Sequence, residues 1–289
     1  MSTERETPAT SLPTVVTPSI RSGEHLAGDD YARTQIDRWF AEEKEAYYEE
    51  NQGTSESDPY YAYMRWLNPR LGAAVLATSS NASGNMLVVG PGLGREVDAF
   101  PNIVKKWQIT FVEASENFRR ELGVRFPKST ILEAETSGDM PVASNSQDLI
   151  LAFSVLHHIP NVSYVLGEFA RVLKPGGFVM VREPCSSMGD WRMARSATPN
   201  ERGISCSWLL RTAAKVGLSE YQKPVPVLYY PLALAVKKLG LASIMSTRFY
   251  LASDILVSRI ASHLDFYWRD SVWKRLGPSV YFYMFRKPE

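Results

Sequence analysis

The sequence has few cysteines, almost no net charge and no long apolar run, and each absence excludes a class of protein. Only Cys185 and Cys206 occur, too few for a disulfide framework or a cysteine-based zinc cluster. Lys and Arg number 32 against 31 Asp and Glu, so no excess charge favours binding along a nucleic-acid backbone. The longest apolar stretches, residues 225–236 and 239–245, fall short of the roughly 20 residues that a membrane span needs. We therefore expect no nucleic-acid partner and no stable membrane insertion.

The composition of the chain changes near residue 28. Residues 1–27 are rich in Thr, Ser and Pro and hold few large apolar side chains, so we expect a mobile tail. No apolar run there precedes a small-residue cleavage site, which together with the scarce cysteines favours a cytoplasmic protein. From Asp29 or Asp30, either of which can cap a helix, apolar residues recur at near-helical spacing. With a second helix ahead of the first strand, residues 28–84 are predicted to form a helical lid.

Short apolar strands alternate with helical segments from residue 85 onward. The predicted strands cover residues 85–89, 108–112, 129–133, 149–153 and 178–182, then one within 218–227 and a closing strand at 279–286. Such alternation implies parallel pairing with right-handed crossovers, which leaves few topologies beyond a doubly wound α/β sheet. We therefore predict a core over residues 85–230, a helical insertion over 231–275 and a final core strand over 276–289.

A glycine-rich turn follows the first predicted strand. It consists of Gly90, Pro91, Gly92, Leu93 and Gly94. Such a turn lets a nucleotide-like ligand approach the backbone closely. Glu113 ends the next strand about twenty residues later, where an acid can accept hydrogen bonds from both hydroxyls of a ribose. Position 95 is Arg, whereas a dinucleotide fold would want glycine there, so nicotinamide chemistry is disfavoured.

Over residues 85–183 the sequence resembles the class I methyltransferases. The matching pieces are the glycine turn, Glu113, the strand at 147–151, Leu-His-His-Ile-Pro at 156–160 and Leu-Lys-Pro-Gly-Gly at 173–177. The resemblance implies a Rossmann-like, seven-stranded, mostly parallel sheet with an antiparallel final strand. It also implies S-adenosyl-L-methionine as the cofactor.

The resemblance further implies which residues bind the cofactor. They are Gly90, Pro91, Gly92, Gly94, Glu113, Ala114, Thr136, Ser137, Phe153 and Ser154. Val88 and Thr136 stand where many members carry acidic residues, so the adenine would rely on Thr136, Ser137 or backbone groups. Phe153 and Ser154 fall where the chain of the family passes the methionine end of the cofactor.

Two adjacent histidines follow the fourth predicted strand. An imidazole titrates near neutrality and adjacent side chains point in different directions, so at most one of His157 and His158 should face the acceptor as a general base. Either could instead cap the following helix. Glu183 and Asp190 are further catalytic candidates at the sheet edge, unless they are solvated or paired with Arg192. The turn lacks the hard carboxylates of metal-binding relatives, so no metal is expected.

Methyl transfer from a sulfonium is an in-line displacement, so the protein mainly aligns the acceptor and removes its proton. We predict methylation of a small or medium-sized organic acceptor, at oxygen, in a secondary-metabolite or glycan pathway. Two alternatives stay open: cyclisation or rearrangement on the same fold, and a degenerate cofactor-binding scaffold for a partner protein. The aromatic residues of the two flanking helical segments could form a lid over the pocket or simple core. The sequence also leaves a homodimer open.

Overall fold

The computed structural model describes residues 11–51, 59–78, 83–193, 195 and 198–289. The strands are β1 (Asn85–Val89), β2 (Gln108–Glu113), β3 (Thr130–Glu133), β4 (Gln147–Phe153), β5 (Leu173–Pro184), β6 (Ser219–Tyr229) and β7 (Pro278–Arg286). The helices are α1 (Pro18–Ser22), α2 (Arg33–Asn51), α3 (Pro59–Thr78), α4 (Pro101–Lys106), α5 (Glu116–Arg125), α6 (Val162–Val172), α7 (Cys206–Lys215), α8 (Tyr230–Lys238) and α9 (Arg248–Ala261). Short 3₁₀ turns include Arg95–Ala99, Leu156–His158 and Ala242–Ser246.

The strands form one seven-stranded sheet in the order β3-β2-β1-β4-β5-β7-β6. Strands β1 to β5 pair in parallel, whereas β7 runs antiparallel to both β5 and β6. The strand order reverses between β1 and β4, the point at which open α/β sheets bind ligands beyond the carboxyl ends of their strands. The predicted doubly wound, mostly parallel α/β fold is confirmed.

Each face of the sheet is covered by its own apolar core, because both faces of parallel strands are buried. Met86, Val88 and Phe111 pack with α3 and α9 on one face. Leu87 and Val89 pack with α6 and α7 on the other. Since successive side chains of a strand alternate between faces, the apolar run of β1 supplies both cores at once.

The prediction of a mobile tail is wrong for residues 11–27. Leu12, Ile20 and Ala27 are buried in a cluster with three tryptophans, namely Trp39, Trp191 and Trp268. Helix α1 begins after Thr17, whose hydroxyl accepts from the amide of Ile20. The segment is ordered because the few apolar residues it has are inserted between distant parts of the chain, which composition alone does not show. Residues 1–10 of that prediction lie outside the described residues.

The predicted helix cap at Asp29 or Asp30 is also wrong. Helix α2 begins at Arg33, and Asp29 Oδ1 instead accepts from the amide of Ser163, 2.7 Å away in the first turn of α6. An acidic side chain suits the N terminus of any helix. The residue type therefore indicated a helix cap, but it did not indicate which helix is capped. The contact ties the N-terminal segment to the core.

Residues 231–275 lie between the last two strands, where the insertion was predicted. Helix α9 packs on β6, β7 and α3, and the turn Ala242–Ser246 joins it to α8. The flanking aromatic residues divide: Tyr63, Tyr250, Tyr267 and Trp268 are buried as core, whereas Tyr230, Phe249 and Phe266 are exposed. Within the described ranges, no helix combines the length and the apolar character that crossing a bilayer requires.

Candidate active site

A cavity that is open to solvent lies beyond the carboxyl ends of β1, β2, β3 and β4. Its walls include Val89, Gly90, Val112, Glu113, Ala114, Ser115, Ala134, Thr136, Gly138, Asp139, Met140, Ser154, Val155, His158, Ile159 and Pro160, and helix α2 adds Phe40, Glu43 and Lys44. The cavity is therefore bounded by strand ends on one side and by an N-terminal helix on the other.

The glycine turn is held in a shape that only glycine fits without strain. Gly90, Gly92 and Gly94 have φ values of +61°, +51° and +68°. A Cβ at Gly90 would lie 2.2 Å from Cγ2 of Val155, in the loop after β4. A side chain at position 90 would thus collide with Val155, so glycine is needed for the two loops to meet at the floor of the cavity.

Glu113 closes the opposite side of the turn. Its Oε2 accepts from the amide of Gly92 at 2.9 Å, and its Oε1 accepts from the amide of Ser115 at 2.9 Å. The side chain is almost wholly buried, and burial raises its pKa although the backbone donors oppose the shift. Each carboxylate oxygen has a second lone pair, so Glu113 can accept further hydrogen bonds from a ligand in the cavity.

The loop after β3 supplies the polar rim of the cavity. Thr136 Oγ1 accepts from Nη2 of Arg33 at 2.5 Å, which links this loop to α2. Ser137 does not line the cavity; its hydroxyl donates to Asp139 Oδ2 at 2.6 Å, and its carbonyl accepts from Asn161. Asp139 lines the rim, and its exposed carboxylate contacts the hydroxyl of Tyr164.

His158 reaches the cavity with a buried acid behind it. Its Nδ1 lies 2.7 Å from Oε2 of Glu43, on α2. The same carboxylate accepts from Oγ1 of Thr198 at 2.7 Å, and Glu43 Oε1 accepts from the amide of Asn200 at 2.7 Å. Glu43 is fixed by donors from a distant loop, so the imidazole it contacts is fixed as well.

His157 points away from the cavity, into a pair of carboxylates. Its Nδ1 is 2.6 Å from Oε2 of Glu183, and its Nε2 is 3.2 Å from Oε1 of Glu201. Glu183 is fully buried, and its Oε1 accepts from the amides of Val155 and Leu156. The pair of acids therefore fixes the loop that carries both histidines.

The charge state of this cluster follows from its geometry. Burial alone would lower the pKa of His157, but the carboxylates of Glu183 and Glu201 outweigh it and raise that pKa to about 10. Burial would raise the pKa of Glu201, but the hydrogen bond and charge of His157 lower it to about 2. At neutral pH His157 is an imidazolium, which has no lone pair to accept a proton.

Of the sequence-predicted cofactor residues, Gly90, Glu113, Ala114, Thr136 and Ser154 line the cavity. Pro91, Gly92, Gly94, Ser137 and Phe153 do not; Phe153 packs on Phe282 in the core. Of the predicted catalytic residues, His158 lines the cavity, whereas His157 and Glu183 lie behind it. The further candidate Asp190 forms an exposed ion pair with Arg192, the alternative that the sequence left open.

Sequence reasoning missed the contribution of α2. Phe40, Glu43 and Lys44 line the cavity; the sequence predicted a helical lid over residues 28–84 but not that these three residues reach the site. One signal was present: Glu43 follows Trp39 by four residues, so an acidic residue stands on the apolar face of an amphipathic helix. A buried acid needs a partner, and that partner is His158.

One set of side chains in the described part of the chain has the spacing of a metal site. His157, His158 and Glu201 each offer a ligand atom, and these atoms lie within 4.8 Å of one another. The carboxylates of Glu183 and Glu43, which are outside this set, contact the Nδ1 atoms of the two imidazoles. The two imidazole rings are tilted by 39° to one another, with centroids 4.1 Å apart. The expectation of no metal stays a prediction.

Comparisons with known proteins agree with this geometry. A family model described as a methyltransferase domain matches residues 87–181. An uncharacterized methyltransferase of Schizosaccharomyces pombe is 26% identical over 137 residues, which are 44% of this chain and 49% of that protein. The chain thus spans about half the length of the curated relative that it matches.

Solved structures share the fold at low sequence identity. A proposed sarcosine dimethylglycine methyltransferase from Galdieria sulphuraria has a TM-score of 0.50 and 17% identity, covering 77% of this chain and 86% of that one. A chain from the complex of the Haloferax volcanii Trm112 methyltransferase activator with its proposed methyltransferase has a TM-score of 0.52 and 13% identity, covering 88% and 98%. Residues 87–181 of this chain therefore match a methyltransferase domain, and the sheet that contains them has the fold of these solved structures.

Proposed function

We propose that this protein transfers a methyl group from S-adenosylmethionine to an oxygen of a small or medium-sized acceptor. The observation that carries the proposal is that Gly90, Glu113 and His158 line one cavity at the point where the strand order reverses. Gly90 and Glu113 suit the binding of a nucleoside, and His158 offers a general base beside them. Membership of the acceptor in a secondary-metabolite or glycan pathway stays a prediction.

The cofactor is expected to use both sides of the cavity floor. Glu113 would accept from the ribose hydroxyls, because its two oxygens keep acceptor capacity beyond their bonds to backbone amides. Ala114 and Thr136 line the part of the wall beside it, next to apolar side chains such as Met140 against which an adenine can pack. Ser154, at the end of β4, would lie toward the methionine end.

Ser154 is held in a conformation that supports this role. Its φ is +55°, a strained value for a residue other than glycine, and its amide donates to the carbonyl of Arg182 at 2.6 Å. The guanidinium of Arg182 donates to Ser154 Oγ at 2.7 Å. Arg182 thus fixes the turn between the strand and His158.

His158 is the residue that we assign as the general base. With a proton on Nδ1 donated to Glu43, Nε2 is the basic nitrogen of the imidazole. The acceptor hydroxyl would give its proton to Nε2 as its oxygen attacks the methyl carbon. The new bond is oxygen to carbon, the bond that breaks is sulfur to carbon, and the imidazolium formed is stabilised by the Glu43 carboxylate. The sulfonium itself supplies an activated methyl group.

His157 and Glu183 act in this proposal as positioning residues. The imidazolium of His157 bridges Glu183 and Glu201, and Glu183 accepts from two amides of the loop before His158. Neither side chain lines the cavity, so neither contacts the reacting atoms. They keep the base in place.

Two measurements test the proposal in sequence. Isothermal titration calorimetry with S-adenosylmethionine should show one binding site per chain, and an absence of binding would refute the cofactor assignment. A screen of small hydroxylated metabolites with methyl-labelled cofactor should then yield a product heavier by one methyl group. Turnover of an acceptor without that mass gain would instead identify a rearrangement.

Variants of the base separate catalysis from binding. His158→Gln and Glu43→Gln should lower kcat by about 10²–10⁴-fold, the usual effect of losing a general base. Cofactor affinity should change by less than about 3-fold, because ribose recognition is assigned to Glu113. His263→Gln, at an exposed histidine that does not line the cavity, is the matched control. Wild-type kcat in His158→Gln would refute the assignment of the base.

A further inference from the structure

The part of the helical insertion that runs from α8 to α9 combines exposed apolar side chains with charge of one sign. We propose that this surface, formed by α8, the turn after it and α9, docks the protein on an anionic lipid bilayer. The proposal concerns a binding surface apart from the cavity, since none of the described residues from 231 to 275 lines the cavity. It therefore stands independently of the proposed reaction.

Helix α9 has two apolar faces, and only one of them is buried. Leu251 and Ile255 pack into the core that the sheet and α3 share. Phe249, Leu256 and Ile260 are 82%, 60% and 65% exposed. At 100° per residue, these three side chains lie within about 40° of one another and span roughly 16 Å of the helix. An outward stripe of this kind on a surface helix calls for a partner.

The segment before α9 continues the exposed apolar character. Leu239, Leu241 and Ile244 follow α8 and are 72%, 46% and 37% exposed. The turn Ala242–Ser246 contacts α8, α9 and α3, so it lies between the two helices rather than apart from them. Large side chains at such positions fit the boundary between headgroups and acyl chains, where amphipathic helices lie in the plane of the membrane.

Charge selects the partner. Between residues 221 and 264 the basic residues are Lys223, Lys237, Lys238, Arg248 and Arg259, and all of them are exposed. Asp254 is the single acidic residue of that stretch, and it is fully buried, accepting from the amides of Leu228 and Tyr229. The stretch presents no exposed carboxylate, although the whole chain has a net charge of only +1. Exposed cations on the same elements as exposed apolar residues match an anionic lipid surface.

Two other occupants of this surface, a second copy of the chain and a different protein, fit it less well. A two-fold dimer through this face would set the same cations against one another, because an isologous interface pairs a patch with itself. A protein partner is disfavoured by composition, since lysine is depleted in the cores of protein interfaces and two adjacent lysines stand here. A bilayer needs neither shape complementarity nor specific pairing.

Vesicle flotation with the full chain tests the proposal. The protein should float with phosphatidylcholine vesicles that contain about 30% phosphatidylglycerol and should stay unbound with pure phosphatidylcholine. The triple variant Phe249→Ser, Leu256→Ser, Ile260→Ser should lose at least about 10-fold in partition coefficient, because it removes the inserted side chains. Its control is Val124→Ser with Met193→Ser, at exposed apolar positions elsewhere, which should float as the wild type does.

The charge component is tested separately. Replacing Lys237, Lys238, Arg248 and Arg259 by Gln should also lower partitioning by roughly 10-fold or more, as should raising the salt from about 0.1 to 0.5 M. The matched control replaces Lys105, Lys106, Lys128 and Lys215, which are exposed on other helices and loops.

Three results would overturn the proposal. They are no flotation with the anionic vesicles, equal flotation with neutral vesicles, and wild-type flotation of the serine variant. A light-scattering mass of a dimer that becomes a monomer in the serine variant would assign the face to a second copy instead. Circular dichroism and thermal melting confirm that each variant is folded, which the exposure of the replaced side chains predicts.

Discussion

Several charged side chains are buried close together beside the cavity. Arg202, Glu183 and Glu43 are each at most 5% exposed, and His157 and Glu201 lie among them. Taking a charge out of water costs several kcal/mol unless a partner of opposite sign compensates it. Every acid in this group contacts a histidine, so the removal of one partner should cost more than a surface substitution would.

His157→Gln tests the charge state of this cluster. The pKa of His157 is raised, so its contribution to stability is complete below about pH 6.5 and is lost as the pH rises toward 10. At pH 6.5 the variant should be less stable than the wild type by about 3–5 kcal/mol, the usual cost of breaking a buried ion pair. The difference should shrink steadily up to pH 9.5.

Urea denaturation across that pH range measures the effect. His263→Gln, at an exposed histidine, is the control and should follow the wild type throughout. A difference between wild type and His157→Gln that stays constant with pH would show that His157 is neutral in the folded protein.

Glu113→Gln tests the proposed role of Glu113 in binding the ribose of the cofactor. A glutamine has one acceptor oxygen where the carboxylate has two, so either Gly92 or Ser115 loses the partner of its amide. We expect a loss of about 1–3 kcal/mol in stability, the cost of an unpaired buried donor. Calorimetry should show cofactor affinity lower by at least about 10-fold, since one charge-assisted bond to the ribose is also lost. Glu133→Gln, at the exposed end of the neighbouring strand β3, should change neither quantity.

At the scale of elements, one arginine joins segments that are far apart in the chain. The Arg202 guanidinium donates to the carbonyls of Ala27, His157, Ile159 and Pro160, at 2.8 to 3.1 Å. It also lies 5.0 Å from the ring of Trp39, on α2. The planar fork of an arginine suits several carbonyls at once, which a lysine cannot imitate.

Arg202→Lys should therefore be destabilising although it keeps the charge. We expect about 2–4 kcal/mol, because several carbonyls are left unpaired in a buried site. Arg211→Lys, on the exposed side of α7, is the control and should cost less than about 0.5 kcal/mol. Chemical denaturation gives both values. Equal stability of the two variants would show that the carbonyls find other partners.

At the scale of the whole molecule, the N-terminal segment and the loop before α7 belong to the same body as the sheet. Ser11 donates to Glu42 and Asn200, Trp191 Nε1 donates to the carbonyl of Pro13 at 2.8 Å, and Tyr31 donates to the carbonyl of Ser11. The residues that make these contacts are between 20 and 189 positions apart in the sequence. The segment should therefore unfold together with the core.

Ile20→Ala tests this cooperativity. The side chain is buried with Trp268 and other residues of the N-terminal cluster, so its truncation should cost about 2–4 kcal/mol in global stability. Val15→Ala, at a side chain that is 72% exposed five positions earlier, should cost less than about 0.5 kcal/mol. Denaturation followed by tryptophan fluorescence and by circular dichroism should give one coincident transition. A separate early transition in Ile20→Ala would show that the segment unfolds on its own.

The sequence by itself determined the local features of this protein. The order of the strands, the turn at Gly90, the acid at Glu113 and the position of the insertion all follow from short-range patterns, whereas β5 (Leu173–Pro184) is longer than the predicted strand over residues 178–182. Periodicity, turn chemistry and charge balance act within about twenty residues, so they can be recognised without knowing the rest of the chain. Of the two histidines, the sequence could say only that one at most faces the acceptor.

The tertiary structure decided which side chains meet. Glu43 and His158 are 115 positions apart, and His157 is 44 positions from Glu201. Asp29 caps a helix 134 positions away, and residues 11–27 pack against Trp191 and Trp268, which are distant in the chain, as well as Trp39. Such contacts leave no local trace, because an acid on a helix face has the same sequence pattern whether it meets water or an imidazole. The choice of His158 over His157 depends on that difference in surroundings.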